Sequence, residues 1–302
     1  MNDKILTIIV TFNGMKWIDK CIQSVLSSTV HSDIFVIDNA STDKTSDYIA
    51  KTFTSVKLIR NKKNLGFGAA NNIGLQYAID NNYDYIYLLN QDAWVKEDTF
   101  EKMISTHQKH PEYGILSPLQ FQANENHLDF NFGATLSKWD ANTKVCEDLL
   151  MRQKKEVVPF PRIMAAHWLI CRSCLINVGG FSPAFFHYGE DNNYADRAWH
   201  KGYKVGVVMN AIGIHDREIR VDSDEKKCLL EFCSKISDIC GFKMSTKEIL
   251  WNYTYEIVLC LLFSRKLLLR RFNYYIKFLL SIRKYQKAKQ NSIKQGAFLK
   301  ID

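Results

Sequence analysis

The sequence predicts an α/β protein: a mixed, mainly parallel sheet flanked by helices, with a helical C-terminal extension. Three observations predict it. Short apolar, β-branched runs alternate with helix-periodic segments four times in about 110 residues, the pattern of crossover units in a parallel sheet. Each run ends at polar residues: Thr11 and Asn13, Asp38 and Asn39, Asn64, and Asn90 with Asp92. From about residue 222 the apolar pattern becomes helical.

The elements follow in order. Ile5 to Phe12 is apolar and β-branched, then breaks at Asn13-Gly14, as a buried strand and turn would. Trp17, Ile18, Cys21, Ile22, Val25 and Leu26 recur at helical spacing. Asp33 to Asp38 reads as the second strand, and Ser41 or Thr42 as the N-cap of the next helix. Val56 to Ile59 is a short third strand. The glycine-bearing turn Asn64-Leu65-Gly66-Phe67-Gly68 leads into a helix near 69–78. Ile86 to Leu89 is the fourth strand, and a helix follows over about 96–107. Between 111 and 165 the pattern is weaker. Tyr113 to Pro118 and Phe130 to Leu136 read as strands, and 145–156 as a mobile charged loop.

In open α/β sheets, ligands bind beyond the carboxyl ends of the strands. Asp92 then stands at the mouth of a cleft, where a carboxylate suits a hard divalent cation; the alternative is that Asn90 and Asp92 form a turn or a cap. The Gly66 turn can bring backbone N–H groups to a phosphate at a helix N-terminus, or be a plain turn. It lacks the G-x-G-x-x-G spacing, and no G-x-x-x-x-G-K-[ST] loop occurs.

Composition narrows the classes. The 302 residues are 46% hydrophobic and 24% charged, those of a globular protein, with a formal net charge of +8. Cys171 and Cys174 form the single C-x-x-C among eight scattered cysteines; without a second pair at zinc spacing, they read as apolar core residues of a reducing compartment, with a redox motif as the alternative. The N-terminus does not read as a signal peptide, and no apolar run is long enough for a transmembrane helix. No zinc-finger or aromatic RNA-binding signature supports a nucleic-acid partner.

The residues resemble those of family 2 glycosyltransferases with a GT-A (Rossmann-like) fold. The matching stretches are Thr7 to Asn13, Val36 to Asp43, Asn64 to Asn71, Leu88 to Asp92, Ala165 to Ile170, Val178 to Phe186, and Glu190-Asp191. They span about 4–216, and within the family are most similar to rhamnosyltransferase-like members that build bacterial surface glycans. The resemblance implies a GT-A catalytic domain over 1–216 and a helical region over 217–302.

It also implies roles. Asp38 resembles the aspartate that binds the nucleotide base. Thr11 and Asn13 lie where the family binds the nucleoside, and Asn64 and Gly66 beside the diphosphate and sugar. Asn90-Gln91-Asp92 occupies the D-x-D position with its first Asp replaced, so that metal contact (Mg²⁺ or Mn²⁺) rests on Asp92. His215 resembles a late histidine that completes the metal site in some members; a structural role is the alternative. Asp191 corresponds to the catalytic base and Glu190 to an acceptor-orienting group, with N-capping charge as the other reading. Asn193 stands where many relatives carry an acid. Arg197 is placed to support Asp191 through a salt bridge. His167 and Trp168, with Phe186 and His187, are expected to shape the donor and acceptor pockets; a packed aromatic core is the alternative.

The expected reaction is inverting, metal-dependent transfer from a UDP-, dTDP- or GDP-sugar to a hydroxyl of a glycan or lipid-linked acceptor. Alternatives are a sugar-nucleotide pyrophosphorylase, for which Asn13 to Lys16 is too short a loop, and a non-catalytic binder.

Between Ser245 and Asp302 there are 12 Lys or Arg against 3 acids. Lys266, Arg270, Asn273, Lys277, Ser281 and Lys284 form one helical stripe, with Leu268, Phe272, Tyr275, Leu279 and Ile282 opposite. This predicts peripheral docking on an anionic membrane, at the inner face of the plasma membrane of a cytoplasmic protein. Packing on the catalytic domain or on another subunit of an oligomer is the alternative.

Overall fold

The computed structural model describes residues 3–144, 155–217, 223–263 and 267–301. The first part alternates as the apolar runs require: β1 (Ile5–Thr11), α1 (Ile18–Leu26), β2 (Asp33–Asp38), α2 (Thr45–Thr52), β3 (Lys57–Arg60), α3 (Phe67–Asp80) and β4 (Tyr85–Asn90). Then come β5 (Ala93–Val95), α4 (Thr99–Lys109), β6 (Tyr113–Phe121), α5 (Phe130–Thr143), β7 (Val157–Pro159), β8 (His167–Cys171), α6 (Arg172–Val178), α7 (Glu190–His200) and β9 (Lys204–His215). The chain closes with α8 (Asp224–Cys240), α9 (Thr246–Phe263) and α10 (Leu268–Ser292).

One mixed sheet runs β3-β2-β1-β4-β8-β6-β9-β5, with β7 beside β9. The first four strands pair with one another only in parallel, and β4 then pairs antiparallel with β8, as does β6. Sequence order reverses between β1 and β4, the switch point at which such sheets open a crevice. Register aligns the strand ends there: Thr11 lies opposite Asp38, and Val10 opposite Asn90. The central strands are buried on both faces, which explains their unbroken apolar runs.

Two hydrophobic clusters form. The larger one surrounds the sheet. The smaller joins α8, α9 and α10 through Phe232, Ile236, Tyr253, Phe278 and Tyr285, and reaches the loop before α7 through Ala184 and Phe185. After α10 the chain returns to the sheet: Ala297 O accepts the Gly180 N–H at 2.7 Å, and the Lys300 N–H binds Gln76 Oε1 at 2.7 Å.

Several expectations are corrected. Phe130 to Leu136 is helical, because Asp129 caps α5 by accepting the Phe132 N–H at 2.9 Å. Neither Ser41 nor Thr42 caps α2. Asp43 Oδ1 accepts the Thr45 N–H instead, while Ser41 turns to Asp38 and Thr42 to Asn13. On α10 the inward residues are Tyr274, Tyr275, Phe278, Ile282, Tyr285 and Ala288, so the expected apolar stripe is rotated. Its Tyr275 and Ile282 pack inward, and Leu269, Phe272, Ile276 and Leu280 face out. Lys266 and most of the 145–156 segment lie outside the described residues. Cys171 and Cys174 are free and buried.

Candidate active site

At the switch point, Gln91 ties the ends of β1 and β4 together. Its Oε1 accepts from Thr11 Oγ1 at 2.7 Å and from the Phe12 N–H at 2.9 Å, and its Nε2 donates to Phe12 O at 3.2 Å. Thr11 is fully buried with its hydroxyl engaged in this clamp. In this conformation it positions Gln91.

Asn13 takes a left-handed backbone (φ 51°), and its Oδ1 accepts from the Thr42 N–H at 2.8 Å. The loop after β1 is thus fastened to the loop after β2. Asp38 ends β2 almost fully buried, its carboxylate accepting the Ser41 N–H at 3.3 Å and the Ser41 hydroxyl. Asn39, beside it, holds the third loop. Its Nδ2 donates to Asn64 Oδ1 at 2.9 Å, and its Oδ1 accepts the Leu65 N–H at 2.9 Å. Asn64 in turn accepts the Gly66 N–H at 2.8 Å. Gly66 has φ 81°, and an added Cβ would lie 2.1 Å from Phe186 O, so only glycine fits where this turn meets the loop before α7.

Asp92 follows β4. Pairing of β5 with β9 sets Ala93 opposite His215, and the Asp216 N–H donates to Asp92 O at 2.8 Å. This register brings His215 Nε2 to 3.4 Å from Asp92 Oδ1. The other ring nitrogen, Nδ1, has no hydrogen-bond partner and stands 3.6 Å from Asp129 Oδ2. Burial would raise the Asp92 carboxyl, but the hydrogen bond and charge of His215 outweigh it and hold the group below its ordinary range.

Among the described residues, no cluster of three or more His, Cys, Asp or Glu stands ready for a metal. Asp92 and His215 nevertheless offer an oxygen and a nitrogen side by side. That donor pair fits Mg²⁺ or Mn²⁺ when phosphate oxygens and water complete the shell.

The second carboxylate pair opens α7. Gly189 enters it in the left-handed region (φ 90°), which aims Glu190 and Asp191 along the first turn. Glu190 is 5% exposed and its Oε2 lacks a partner. Burial, then repulsion from Asp191, pushes its carboxyl up to about 8. Burial also raises Asp191, against the opposing pull of the Asn192 N–H at 2.7 Å and the backbone of Ala165. The strand-β8 approach joins the two pairs: Ala165 lies at Asp191, while Ala166 O accepts the Asn90 N–H at 3.0 Å. The start of α3 adjoins as well, since a Cβ on Gly68 would sit 3.8 Å from Glu190 Cβ.

Three expected participants are core residues instead. His167 is fully buried; its Nε2 donates to Ile214 O at 3.0 Å and its Nδ1 accepts from Tyr87 OH at 2.9 Å. Burial and then the charge of His215 bring its pKa to about 3, so it stays neutral. Trp168 is fully buried and stacks on Phe181. Neither can line an acceptor pocket in this conformation. Arg197 does not pair with Asp191. It is fully buried and donates to the carbonyls of Val178 (2.8 Å) and Gly180 (2.5 Å) and to Asn193 Oδ1 (3.2 Å). Asn193 is thereby a buried packing partner. The cation acting on Asp191 is Arg162, which itself binds Asp196 at 2.6 Å. Phe186, by contrast, is 64% exposed at the cleft beside Gly66.

Gln91 and Asn39 were legible as neighbours of singled-out residues. Asp129 and Arg162 carried no local signal.

The description "Glycosyl transferase family 2" matches residues 7–160, just over half of the chain, and "Glycosyl transferase family group 2" matches 85–282. The chain belongs to glycosyl transferase family 2. Similar proteins include an N-acetylglucosaminyl-diphospho-decaprenol L-rhamnosyltransferase of Mycobacterium tuberculosis, 22% identical over 72% of this chain and 77% of that protein. Another is the low-salt glycan biosynthesis hexosyltransferase Agl10 of Haloferax volcanii, 22% identical over 62% of this chain. The match spans 60% of the length of Agl10 and 15% of Streptococcus pneumoniae glycosyltransferase GlyA. Among solved structures, the mannosyltransferase PcManGT from Pyrobaculum calidifontis, in complex with GDP-Man and Mn²⁺, superposes with TM-score 0.61 at 14% identity, covering 97% of this chain and 87% of that one. S. aureus TarS 1-349 in complex with UDP gives 0.58 at 13%, covering 96% and 90%. The family 2 chain therefore has the GT-A fold.

Proposed function

We propose that this family 2 glycosyltransferase is an inverting, metal-dependent hexosyltransferase. It moves a sugar from a nucleotide-diphosphate donor to a hydroxyl of a glycan or lipid-linked acceptor in bacterial surface polysaccharide synthesis. The observation that carries the reading is the pair of unlike carboxylate stations joined through Ala165 and Ala166: Asp92 held charged by His215, and Asp191 raised beside Glu190. Relatives named for transfer to a diphospho-decaprenol acceptor and neighbours bound to UDP or GDP-Man with Mn²⁺ support it.

In this reading, residues 1–216 carry the chemistry and 217–302 form the helical region. Asp38, Asn13 and the Asn64–Gly66 turn hold the nucleotide. Asn90 and Asp92 lie at the diphosphate. Asp92 and His215 would hold a divalent cation, Mg²⁺ or Mn²⁺, which as a Lewis acid would offset the charge developing on the leaving diphosphate. Asp191 accepts the proton of the attacking hydroxyl; burial raises its basicity toward that task. Attack from the face opposite the leaving group inverts the anomeric centre. Glu190, its carboxyl raised by burial and by Asp191, is suited to donate a hydrogen bond to the acceptor.

Nucleotide release from a panel of UDP-, dTDP- and GDP-sugars, with Mg²⁺, Mn²⁺ or chelator, tests the reading. Acceptor-dependent release that needs the metal is expected. Release of pyrophosphate from a nucleoside triphosphate and a sugar 1-phosphate, or formation of the triphosphate from a sugar-nucleotide only when pyrophosphate is added, would point to a pyrophosphorylase instead.

A further inference from the structure

Helices α9 and α10 turn apolar side chains to the outside. On α9, Trp251, Tyr255, Val258 and Leu262 recur at spacings of four, three and four, one face of the helix. All are exposed, Trp251 by 74% and Leu262 by 66%, while Ile249, Tyr253 and Cys260 are buried on the other side. On α10, Leu269, Phe272, Ile276 and Leu280 do the same, Leu269 at 80% and Leu280 at 83%. The two helices are neighbours, joined by Thr254 Oγ1 and Tyr275 OH at 2.7 Å and by the Tyr253 and Tyr275 rings. The α10 stripe then changes character along its length, because the next outward positions are the exposed Arg283 and Lys287, with Lys284 beside them.

A folded surface gains nothing from exposing adjoining apolar stripes, and contiguous patches of this kind mark contact with a partner or a membrane. We infer that the outer face of the α9–α10 hairpin docks on an anionic lipid bilayer, with Trp251, Tyr255, Val258, Leu262, Leu269 and Leu280 entering the interface. Charge chooses the bilayer over a second copy of this chain. The segment after Ser245 has 12 Lys or Arg against 3 acids. Two such faces brought together would repel, whereas anionic headgroups would attract them. Trp and Tyr are the side chains that settle at headgroup level. Among the described residues no helix is long and apolar enough to cross a membrane, so the hairpin lies on the surface. This deepens the proposal of a lipid-linked acceptor, and vesicle binding reads it without any sugar transfer, so either proposal can fail alone.

The test is co-sedimentation of the intact protein with phosphatidylglycerol/phosphatidylcholine vesicles and with phosphatidylcholine vesicles. Binding to the anionic vesicles that weakens with salt is expected. The triple variant Leu262→Ser, Leu269→Ser, Leu280→Ser changes only exposed positions. It should keep its thermal midpoint and lose about tenfold or more in partitioning. Arg283→Gln with Lys287→Gln should lower binding to anionic vesicles and flatten its salt dependence. No sedimentation of the wild-type protein with anionic vesicles would overturn the inference. So would a triple variant that binds as the wild type does, or self-association in ultracentrifugation that the triple variant abolishes without any vesicle binding.

Discussion

Two carboxylate stations, linked through the backbone of Ala165 and Ala166, are driven in opposite directions. Asp92 sits after β4 next to a buried histidine, which outweighs burial and keeps the acid charged. Glu190 and Asp191 sit in the first turn of α7, where backbone N–H groups and the charge of Arg162 oppose burial at Asp191 without outweighing it, so both are raised. The same side-chain chemistry therefore yields a carboxylate held charged in one place and a more basic pair in the other. The difference lies in which element packs alongside. Strand β9 delivers His215 to Asp92, whereas the partner nearest Glu190 is a second carboxylate.

The largest expected effect separates the stations by function. Asp191→Asn should cut transfer by ~10²–10⁴-fold while leaving nucleotide-sugar affinity intact. Affinity that disappears together with turnover would make Asp191 a structural residue. Asp92→Ala should weaken metal-dependent donor binding by more than about tenfold, since even outer residues of a metal site are worth that much. An affinity unchanged at every metal concentration, measured by calorimetry, would remove Asp92 from the metal site.

The stations should also tilt stability in opposite directions with pH. The Glu190 carboxyl is raised in the folded chain, so the native state holds that proton more tightly than the unfolded one. Its contribution is full below the ordinary 4.5 and is lost as pH rises toward about 8. Asp92 is lowered, so its contribution is present above the ordinary 3.8 and is lost as pH falls. Urea midpoints across pH should show that Glu190→Gln removes the decline on the alkaline side; a wild-type-like decline in that variant would assign it to other groups.

The smallest effect concerns a residue beside both stations that belongs to neither. His167→Phe strands Tyr87 OH and Ile214 O in the core, which should cost about 1–3 kcal/mol for each group left unsatisfied. The folded fraction should keep near-normal turnover. A collapse of kcat at unchanged thermal midpoint would return His167 to the acceptor pocket.

Much of this protein was legible along the chain. Apolar runs of strand length separated by helical periodicity specify crossover units, because a parallel strand buried on both faces needs apolar residues at every position. Asp38, Asp92 and Glu190-Asp191 stood out because each is a sharp polar stop or start at an element's end. Local pattern could not reveal what depends on non-local packing. His167 and Trp168 occupy a strand buried on both sides, so residues with polar atoms look like ligands until their neighbours are known. Arg197 lies two turns from Asp191, yet its guanidinium meets the carbonyls of Val178 and Gly180, and Arg162 from a distant segment acts on Asp191. On α10, aromatic residues took the inward face and left leucines outside, a choice set by the surfaces of α8 and α9. The sequence by itself determined the alternation of elements and the acids at their ends, because periodicity and chain breaks are local. Only the tertiary structure decided which acid is kept charged and which is raised, because a carboxylate's pKa follows the burial, charges and donors that distant segments bring to it.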